Sequence, residues 1–208
     1  MNEKNPPDGD RVAEYFDRCA EENVFEQFSA EELPIVRELL RQMDIQPGDR
    51  ILEPGCGEGR LTPFLAEMVG LGGKVYAFDI SPRMVQKCRA RNLPPQVEIG
   101  LASASELPLA DGEFDAVVCL NTFPHLEDRP AVLREFRRLL RQGGLLWIAH
   151  TRSRERVNSL HSSIGGVLAT HLLPTGTELE RLLRQAGFSL QSLRDLPDRY
   201  VVKAIRAS

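Results

Sequence analysis

Short apolar runs alternate with amphipathic segments along most of the chain, and this alternation predicts strands and helices in turn. The apolar runs are bounded by glycine, proline and polar residues, whereas the segments between them repeat apolar residues at helical spacing. Such an order favours a parallel sheet with helices on both faces. The predicted strands are 50–53, 74–79, 96–101, 114–120, 145–149, 188–194 and 200–205, and the predicted helices are 10–28, 29–43, 60–69, 81–92, 130–141 and 177–186.

Local signals refine this pattern near both ends of the chain. Ser29 with Glu32, and Thr177 with Glu180, fit the capping box that starts a helix. Residues 151–175 break the regular alternation, and there we expect a short helix and a loop. The last two strands are predicted to form a hairpin at the edge of the sheet.

Length, composition and charge narrow the class of protein. The 208 residues, 42% hydrophobic and 27% charged, are typical of one globular domain. A net charge of −4 counts against general affinity for nucleic acid. No apolar run is long enough for a membrane span, and the polar residues 1–10 do not fit a signal peptide. We therefore predict a cytoplasmic protein without nucleic-acid or membrane partners, of unknown oligomeric state, whose scattered cysteines (Cys19, Cys56, Cys88 and Cys119) are reduced.

The most informative segment is 51–59, Ile-Leu-Glu-Pro-Gly-Cys-Gly-Glu-Gly. It predicts the end of a buried strand, a turn of alternating glycines and the start of a helix, so that a ligand can lie against bare backbone. The dinucleotide fingerprint places its third glycine one position beyond Gly59, where this chain has Arg60. An acid, Glu53, precedes the first glycine by two positions and suits a cationic ligand better than a pyrophosphate.

This Glu-x-Gly-x-Gly-x-Gly order resembles the first motif of the class I S-adenosylmethionine (SAM)-dependent methyltransferases, in particular the small-molecule group similar to ubiquinone-biosynthesis enzymes. The resemblance implies a Rossmann-like α/β fold with helices on both faces of a seven-stranded, mostly parallel sheet whose last strand is antiparallel. It also implies one methyltransferase domain over 1–208. Its parts would be an N-terminal helical lid (1–48), a SAM-binding core (49–150), an acceptor-site insertion (151–175), and a C-terminal helix with an edge hairpin (176–208).

The resemblance further implies which residues bind SAM. Asp79, which ends the second predicted strand, would accept hydrogen bonds from both ribose hydroxyls, although an acid here would also cap the helix after Ser81. Ile80 would pack on the adenine. Ser103 replaces an aspartate that accepts the adenine amine in relatives, so adenine would be held by a weaker acceptor. The implied cofactor-binding residues are Glu53, Gly55, Cys56, Gly57, Gly59, Asp79, Ile80, Ser103, Ala104 and Asn121.

All four histidines follow the fourth and fifth predicted strands, on the side where open α/β sheets bind their ligands. Histidine titrates near neutrality and can act as a base or bind a metal. Their spacing matches no paired metal motif, so we predict no metal site. The candidate catalytic residues are His125, His150, His161 and His171. Tyr15 and Phe16 of the predicted lid are candidates to face the pocket.

The leading hypothesis is methyl transfer from SAM to an unidentified small molecule by in-line displacement. A SAM-fold protein that binds without methylating stays open, because Ser103 alters the adenine site. A nicotinamide oxidoreductase is disfavoured by Arg60 and by the absence of a Tyr-x-x-x-Lys pair. Methylation of RNA or protein is disfavoured because residues 121–124, Asn-Thr-Phe-Pro, depart from the Asn-Pro-Pro-Tyr motif of amine-methylating enzymes.

Overall fold

A seven-stranded sheet forms the centre of the protein in a computed structural model that describes residues 8–207. The predictions made for residues 1–7 and for Ser208 lie outside the described residues. The strand order is β3-β2-β1-β4-β5-β7-β6, and β7 runs antiparallel to both of its neighbours. The expected mostly parallel sheet with an antiparallel last strand is therefore confirmed. The strands are β1 Arg50–Pro54, β2 Lys74–Asp79, β3 Val97–Leu101, β4 Phe114–Leu120, β5 Leu140–His150, β6 Phe188–Leu196 and β7 Arg199–Arg206.

Seven α-helices in the described part of the chain surround this sheet. They are α1 Asp8–Glu21, α2 Glu32–Gln42, α3 Thr62–Val69, α4 Pro82–Ala90, α5 Arg129–Leu139, α6 Arg154–Ile164 and α7 Gly176–Gln185. Two short 3₁₀ helices, η1 Phe123–His125 and η2 Gly166–Thr170, lie in the connections. None of the helices between residues 8 and 207 has the length and apolar character needed to cross a membrane.

Helices cover both faces of the sheet. Because neighbouring residues of a strand point to opposite sides, each central strand contributes buried side chains to both faces. On one face Ile51 packs in a cluster with Leu39 of α2 and Leu65 of α3. On the other face Leu52 packs with Phe136 of α5 and Leu183 of α7. The continuous apolar character of the central strands, which predicted a covered parallel sheet, follows from this two-sided burial.

The order of the strands creates a gap at one edge of the sheet. The chain passes from β1 outward to β2 and β3, and then returns to the other side of β1 with β4. Helices that follow β1 and β4 therefore leave toward different faces, and a crevice opens beyond the carboxyl ends of these two strands. This crevice is where the fold favours a ligand.

The first helix ends earlier than predicted. We expected it to continue to residue 28, but α1 ends at Glu21. Asn23 adopts the left-handed conformation, with φ of 57°. The N–H of Val24 bonds to the carbonyl of Cys19, and the N–H of Asn23 bonds to that of Ala20. These two bonds form a Schellman motif, which terminates a helix and which apolar spacing alone does not reveal.

The predicted capping box before α2 forms, although the helix begins at Glu32 rather than at Ser29. The N–H of Glu32 donates to Ser29 Oγ at 3.1 Å, and the N–H of Ser29 donates to Glu32 Oε2 at 3.0 Å. The capping box predicted for α7 is wrong by two residues. Thr175 and Glu178 exchange these bonds instead of Thr177 and Glu180.

The fifth strand begins five residues before its predicted start. Leu140 already pairs with Phe114, and after an irregularity the regular register resumes with Leu145 beside Ala116. Gly143, with φ of 74°, lies in the irregular stretch. Gly143 and Gly144 thus lie in an irregular stretch inside a strand that is longer than predicted.

Candidate active site

A cavity of about 710 Å³ opens where the carboxyl ends of β1, β2, β4 and β5 face α1 and α6. It lies at the crevice that the strand order creates. Gly59 and His171, both predicted for the site, are not part of its wall. The wall includes the other predicted residues, Glu53, Gly55, Cys56, Gly57, Asp79, Ile80, Ser103, Ala104, Asn121, His125, His150 and His161.

The three glycines of the loop after β1 serve different purposes. All have positive φ, at 68° for Gly55, 55° for Gly57 and 77° for Gly59. A Cβ on Gly55 would lie 2.1 Å from Thr122 Cγ2, and one on Gly59 would lie 2.6 Å from Cys88 Sγ. A Cβ on Gly57 would meet its nearest atom only at 3.9 Å. Bare backbone beside free space is therefore confined to Gly57, whereas the other two glycines let protein neighbours approach.

Asp79, at the end of β2, lines the cavity and also accepts two backbone N–H groups. Its Oδ2 accepts the N–H of Gly57 at 2.8 Å, and its Oδ1 accepts the N–H of Ser81 at 2.9 Å. Burial raises the pKa of this carboxyl, and the two backbone N–H groups oppose that rise. Each carboxylate oxygen has a second lone pair, so these two hydrogen bonds leave acceptor capacity for a ligand.

Glu53, at the end of β1, brings a second buried carboxyl to the cavity wall. It is 3% exposed, and its Oε2 has no hydrogen-bond partner within residues 8–207. Burial raises its pKa well above the ordinary value, the nearby Thr62 hydroxyl opposes that rise, and Cys88 and Asp79 add to it. A buried carboxylate oxygen without a partner is costly. This side of the cavity therefore suits a cation or a hydrogen-bond donor and disfavours an anion.

The first helix closes one side of the cavity. Tyr15 and Phe16 line the wall, as the sequence predicted. Asp17, which the sequence analysis did not single out, fixes α1 to the start of α4. Its Oδ1 accepts the hydroxyl of Ser81 at 2.5 Å and the backbone N–H of Arg83 at 2.9 Å. A carboxylate from one helix thus caps the N-terminus of another, next to Asp79.

Glu32, at the start of α2, connects two edges of the cavity. Its Oε2 lies 3.8 Å from Arg60 Nη1, and its Oε1 accepts the hydroxyl of Thr151 at 3.2 Å. The Arg60 guanidinium also lies 4.5 Å from the ring centre of Phe28. Asn121, with φ of 56°, accepts the backbone N–H of Thr151 at 2.9 Å. The chain after β1 and the chain after β5 are therefore both fixed to α2.

Three of the four histidines form a cluster. The ring centres of His125 and His161 are 4.8 Å apart, and Nδ1 of His125 lies 3.4 Å from Nδ1 of His171. The ring of Phe16 packs edge-on against His125 at 5.1 Å. His150 lies at the end of β5, and its Nε2 has no partner in the described part of the chain. Long-range contacts thus bring together residues that the sequence only placed on one side of the sheet.

Two of the four histidines, His125 and His150, have lowered pKa values. Across residues 8–207, no group of three or more His, Cys, Asp or Glu side chains is arranged to hold a metal ion. Burial lowers the pKa of His150 to about 3. Burial, followed by the neighbouring histidines, lowers the pKa of His125 well below its ordinary value. These two rings are therefore neutral at physiological pH.

Comparisons with known proteins show which families this chain is similar to. The sequence profile of a family described as a methyltransferase domain matches residues 52–148. A ubiquinone biosynthesis O-methyltransferase from Xanthomonas campestris pv. campestris is 33% identical over 160 residues, which cover 71% of this chain and 65% of that protein. Methyltransferase GfsG from Streptomyces halstedii is 29% identical over 174 residues, which cover 79% of this chain and 61% of that protein. The chain thus spans less than two thirds of the length of these curated relatives.

Solved structures are similar over almost the whole chain. A SAM-dependent methyltransferase from Aquifex aeolicus has a TM-score of 0.72 at 22% identity, and the match covers 96% of this chain and 98% of that one. Magnesium protoporphyrin IX methyltransferase from Synechocystis, solved with bound SAH, has a TM-score of 0.70 at 20% identity, over 97% and 100% of the two chains. At these identities the likeness shows the shared Rossmann-like fold.

Proposed function

Residues 52–148 form a domain of the class I SAM-dependent methyltransferase family, and from this premise we propose that the protein transfers a methyl group from SAM to a small molecule. SAM is the cofactor of this domain. The observation that carries the proposal is the unpartnered Oε2 of Glu53, buried in the cavity wall. SAM carries an ammonium and a sulfonium, and a nearby positive charge favours the ionised form of this buried carboxyl. The pyrophosphate of a dinucleotide would instead favour the protonated form and gain no charge attraction from it.

The remaining predicted residues fit SAM in chemical type. Asp79 has free acceptor capacity for ribose hydroxyls, and Gly57 presents backbone beside open space. Ser103 lines the cavity, but its hydroxyl already lies 2.9 Å from that of Ser105. We propose that Ile80, Ser103 and Ala104 contact the adenine, with the backbone of Ala104 supplying the donor. Asn121 would border the methionine part.

The protein's own contribution to the reaction is positioning and exclusion of water. When bound, SAM supplies a methyl group that its positive sulfur has already activated. The aromatic side chains of α1 and the apolar residues of α6 remove water from the cavity, which strengthens electrostatic contacts inside it. A general base is required only when the acceptor keeps its proton at neutral pH.

The acceptor is proposed to be a small molecule rather than a nucleic acid. The cavity wall carries more carboxylates than arginines, of which it includes Arg60 and Arg152, and the chain has a net charge of −4. We propose that residues 8–48 act as a lid and residues 151–175 as an acceptor-site insertion, because both supply side chains to the wall. We also propose a cytoplasmic location, which the four free thiols support.

Binding and turnover experiments test this function separately. Calorimetry with SAM and with NAD, each added to the full chain, is expected to show binding of SAM alone. Binding of NAD without SAM would refute the proposal. Incubation with methyl-tritiated SAM and a small-molecule cell extract is then expected to label an organic product. SAM binding without any labelled product would favour the non-catalytic binding protein.

A further inference from the structure

The backbone of His171 determines which nitrogen of His161 carries a proton. Nδ1 of His161 lies 2.5 Å from the carbonyl oxygen of His171. A carbonyl oxygen only accepts hydrogen bonds, so Nδ1 is the donor. When the His161 ring carries a single proton, its free lone pair is therefore on Nε2. A ring held in one tautomer by a backbone carbonyl is prepared to accept a proton on its other nitrogen.

His161 also belongs to the cavity wall. His161 is in the last turn of α6 and is 7% exposed. It lines the cavity together with Val157, Leu160 and Ile164, which share its helical face. Leu160 and Ile164 are 38% and 47% exposed, although both are large and apolar. An apolar surface open to the cavity therefore surrounds a potential base.

The other three histidines are less suited to this role. The pKa of about 3 makes His150 a weak base at neutral pH. His171 does not line the cavity. In His125, Nδ1 faces Nδ1 of His171, and either nitrogen of that pair can be the donor, so no fixed acceptor sets the tautomer of His125. His125 instead packs its ring between His161 and Phe16.

We propose that His161 is the general base for an acceptor that carries a protonated hydroxyl on an apolar body. This inference rests on the proposed methyltransferase function. The hydroxyl proton moves to Nε2 of His161, and an oxygen lone pair forms the bond to the methyl carbon. The carbon–sulfur bond breaks at the same time and leaves its electron pair on sulfur. The resulting imidazolium is stabilised because its Nδ1–H bond to the His171 carbonyl becomes charge-assisted.

Nitrogen NMR tests the tautomer without any turnover. In the full chain labelled with ¹⁵N-histidine, the signals of residue 161 are assigned by their loss in His161→Asn. We expect the Nδ1–H tautomer at neutral pH. His171→Ala serves as the matched control, because it retains the backbone carbonyl and should leave that tautomer in place. A residue 161 in the Nε2–H form would overturn the proposal.

Two probes that differ in one atom test the catalytic role. Both 4-butylphenol and 4-butylthiophenol have an apolar body, but the phenol keeps its proton at neutral pH and the aryl thiol is largely ionised. With SAM, the unmodified protein is expected to methylate both probes. His161→Asn retains a donor for the His171 carbonyl but cannot act as a base. We expect it to lose about 100-fold or more of the phenol rate while most of the thiol rate remains.

The outcomes separate the inference from the function on which it rests. Equal losses for both probes would mean a structural role for His161 and would overturn the base. Methylation of neither probe by a protein that binds SAM in calorimetry would overturn the acceptor class. Failure of the unmodified protein to bind SAM would refute the proposed function instead. His161→Gln is a second variant without a base at this position. SAM affinity and circular dichroism of both variants show whether the asparagine variant alone has a folding defect.

Discussion

The Asp79 carboxylate accepts the backbone N–H of Gly57, with 2.8 Å between Oδ2 and the nitrogen. The same carboxylate accepts the N–H of Ser81 with its other oxygen. The turn after β1 and the start of α4 are therefore held by one side chain. This arrangement links the shape of the glycine loop to the residue that we propose for ribose binding.

Asp79→Ala should lower both the stability of the protein and its affinity for SAM. The buried N–H of Ser81 would lose its acceptor, which costs about 1–3 kcal/mol of stability, and the partly buried N–H of Gly57 would lose less because water from the cavity can replace the carboxylate. SAM affinity should fall about ten-fold or more because a charge-assisted pair is lost. Chemical denaturation and calorimetry measure the two effects. An unchanged SAM affinity in the folded variant would remove Asp79 from the site.

Glu53→Gln should stabilise the ligand-free protein, and the gain should grow with pH. The raised pKa of Glu53 means that the folded protein holds this proton more tightly than the unfolded chain does. Its contribution to stability is fully present below the ordinary glutamate pKa and is lost as the pH rises through the folded pKa. Denaturation between about pH 5 and pH 8 measures the free energy of unfolding of both proteins. Near pH 8 the value for Glu53→Gln should exceed that of the unmodified protein by about 1 kcal/mol or more.

The same substitution should lower SAM affinity by about ten-fold, because a neutral amide replaces the partner of a cation. Glu58→Gln is the matched control on the same loop. Glu58 is also buried, but its Oε1 already lies 3.4 Å from Lys87 Nζ. The assignment of Glu53 as the unpartnered carboxyl would be contradicted if Glu58→Gln stabilised the protein. It would also be contradicted if Glu53→Gln did not stabilise it.

Gly57→Val and Gly55→Ala should fail in different ways. A side chain at Gly57 enters free space in the cavity, so the variant should fold at a cost of about 1–2 kcal/mol for positive φ but bind no SAM. A methyl group at Gly55 collides with Thr122, so that variant should lose about 1–3 kcal/mol or more by overpacking. Thermal unfolding and calorimetry compare them. A folded Gly57→Val protein that still binds SAM would refute the loop assignment.

Asp17→Ala should loosen α1 without disturbing the sheet. The substitution removes the acceptor for Ser81 and Arg83, and loss of a helix cap costs about 1 kcal/mol. Hydrogen exchange should accelerate in α1 and in the first turn of α4, while the amides of β1 and β4 stay protected. Glu14→Ala changes an exposed acid on the same helix and serves as the control. Equal exchange in both variants would argue against this attachment.

Thr175→Ala and Thr177→Ala distinguish the observed cap of α7 from the predicted one. The Thr175 hydroxyl accepts the N–H of Glu178, so its loss should cost about 1 kcal/mol. Thr177 lies inside the helix, and its replacement by alanine should change stability by less than about 0.5 kcal/mol. Urea denaturation of both variants gives the comparison, and the reverse order would contradict the observed cap.

Much of the sheet could be predicted because its strands are buried on both faces and carry their own signal. Lys74–Asp79 and Phe114–Leu120 match their predicted bounds. The caps show where local patterns stop being sufficient. Thr175 and Thr177 each have a glutamate three residues later, so the capping-box pattern fits both. Only packing of the completed helix selects one of them.

Most of the predicted site residues lie in the cavity wall, but the contacts that each of them makes could not be predicted from the sequence. Asp79 and Glu53 follow from their positions at strand ends. The separate purposes of Gly55 and Gly59 depend on Thr122 and Cys88, which lie far along the chain. The orientation of His161 depends on a carbonyl ten residues away that folding brings to its ring. Contacts of this kind have no periodic signature in the sequence.

The packing of Phe16 on His125 joins the N-terminal helix to the histidine cluster. The same helix is attached through Asp17 beside Asp79. Helix α1 therefore contacts both the histidine cluster proposed for the acceptor and the start of α4 beside the proposed SAM site. Binding of the first reactant should order α1, so that binding of the second reactant costs less conformational entropy, which favours ordered addition. A single opening of α1 would then allow both products to leave.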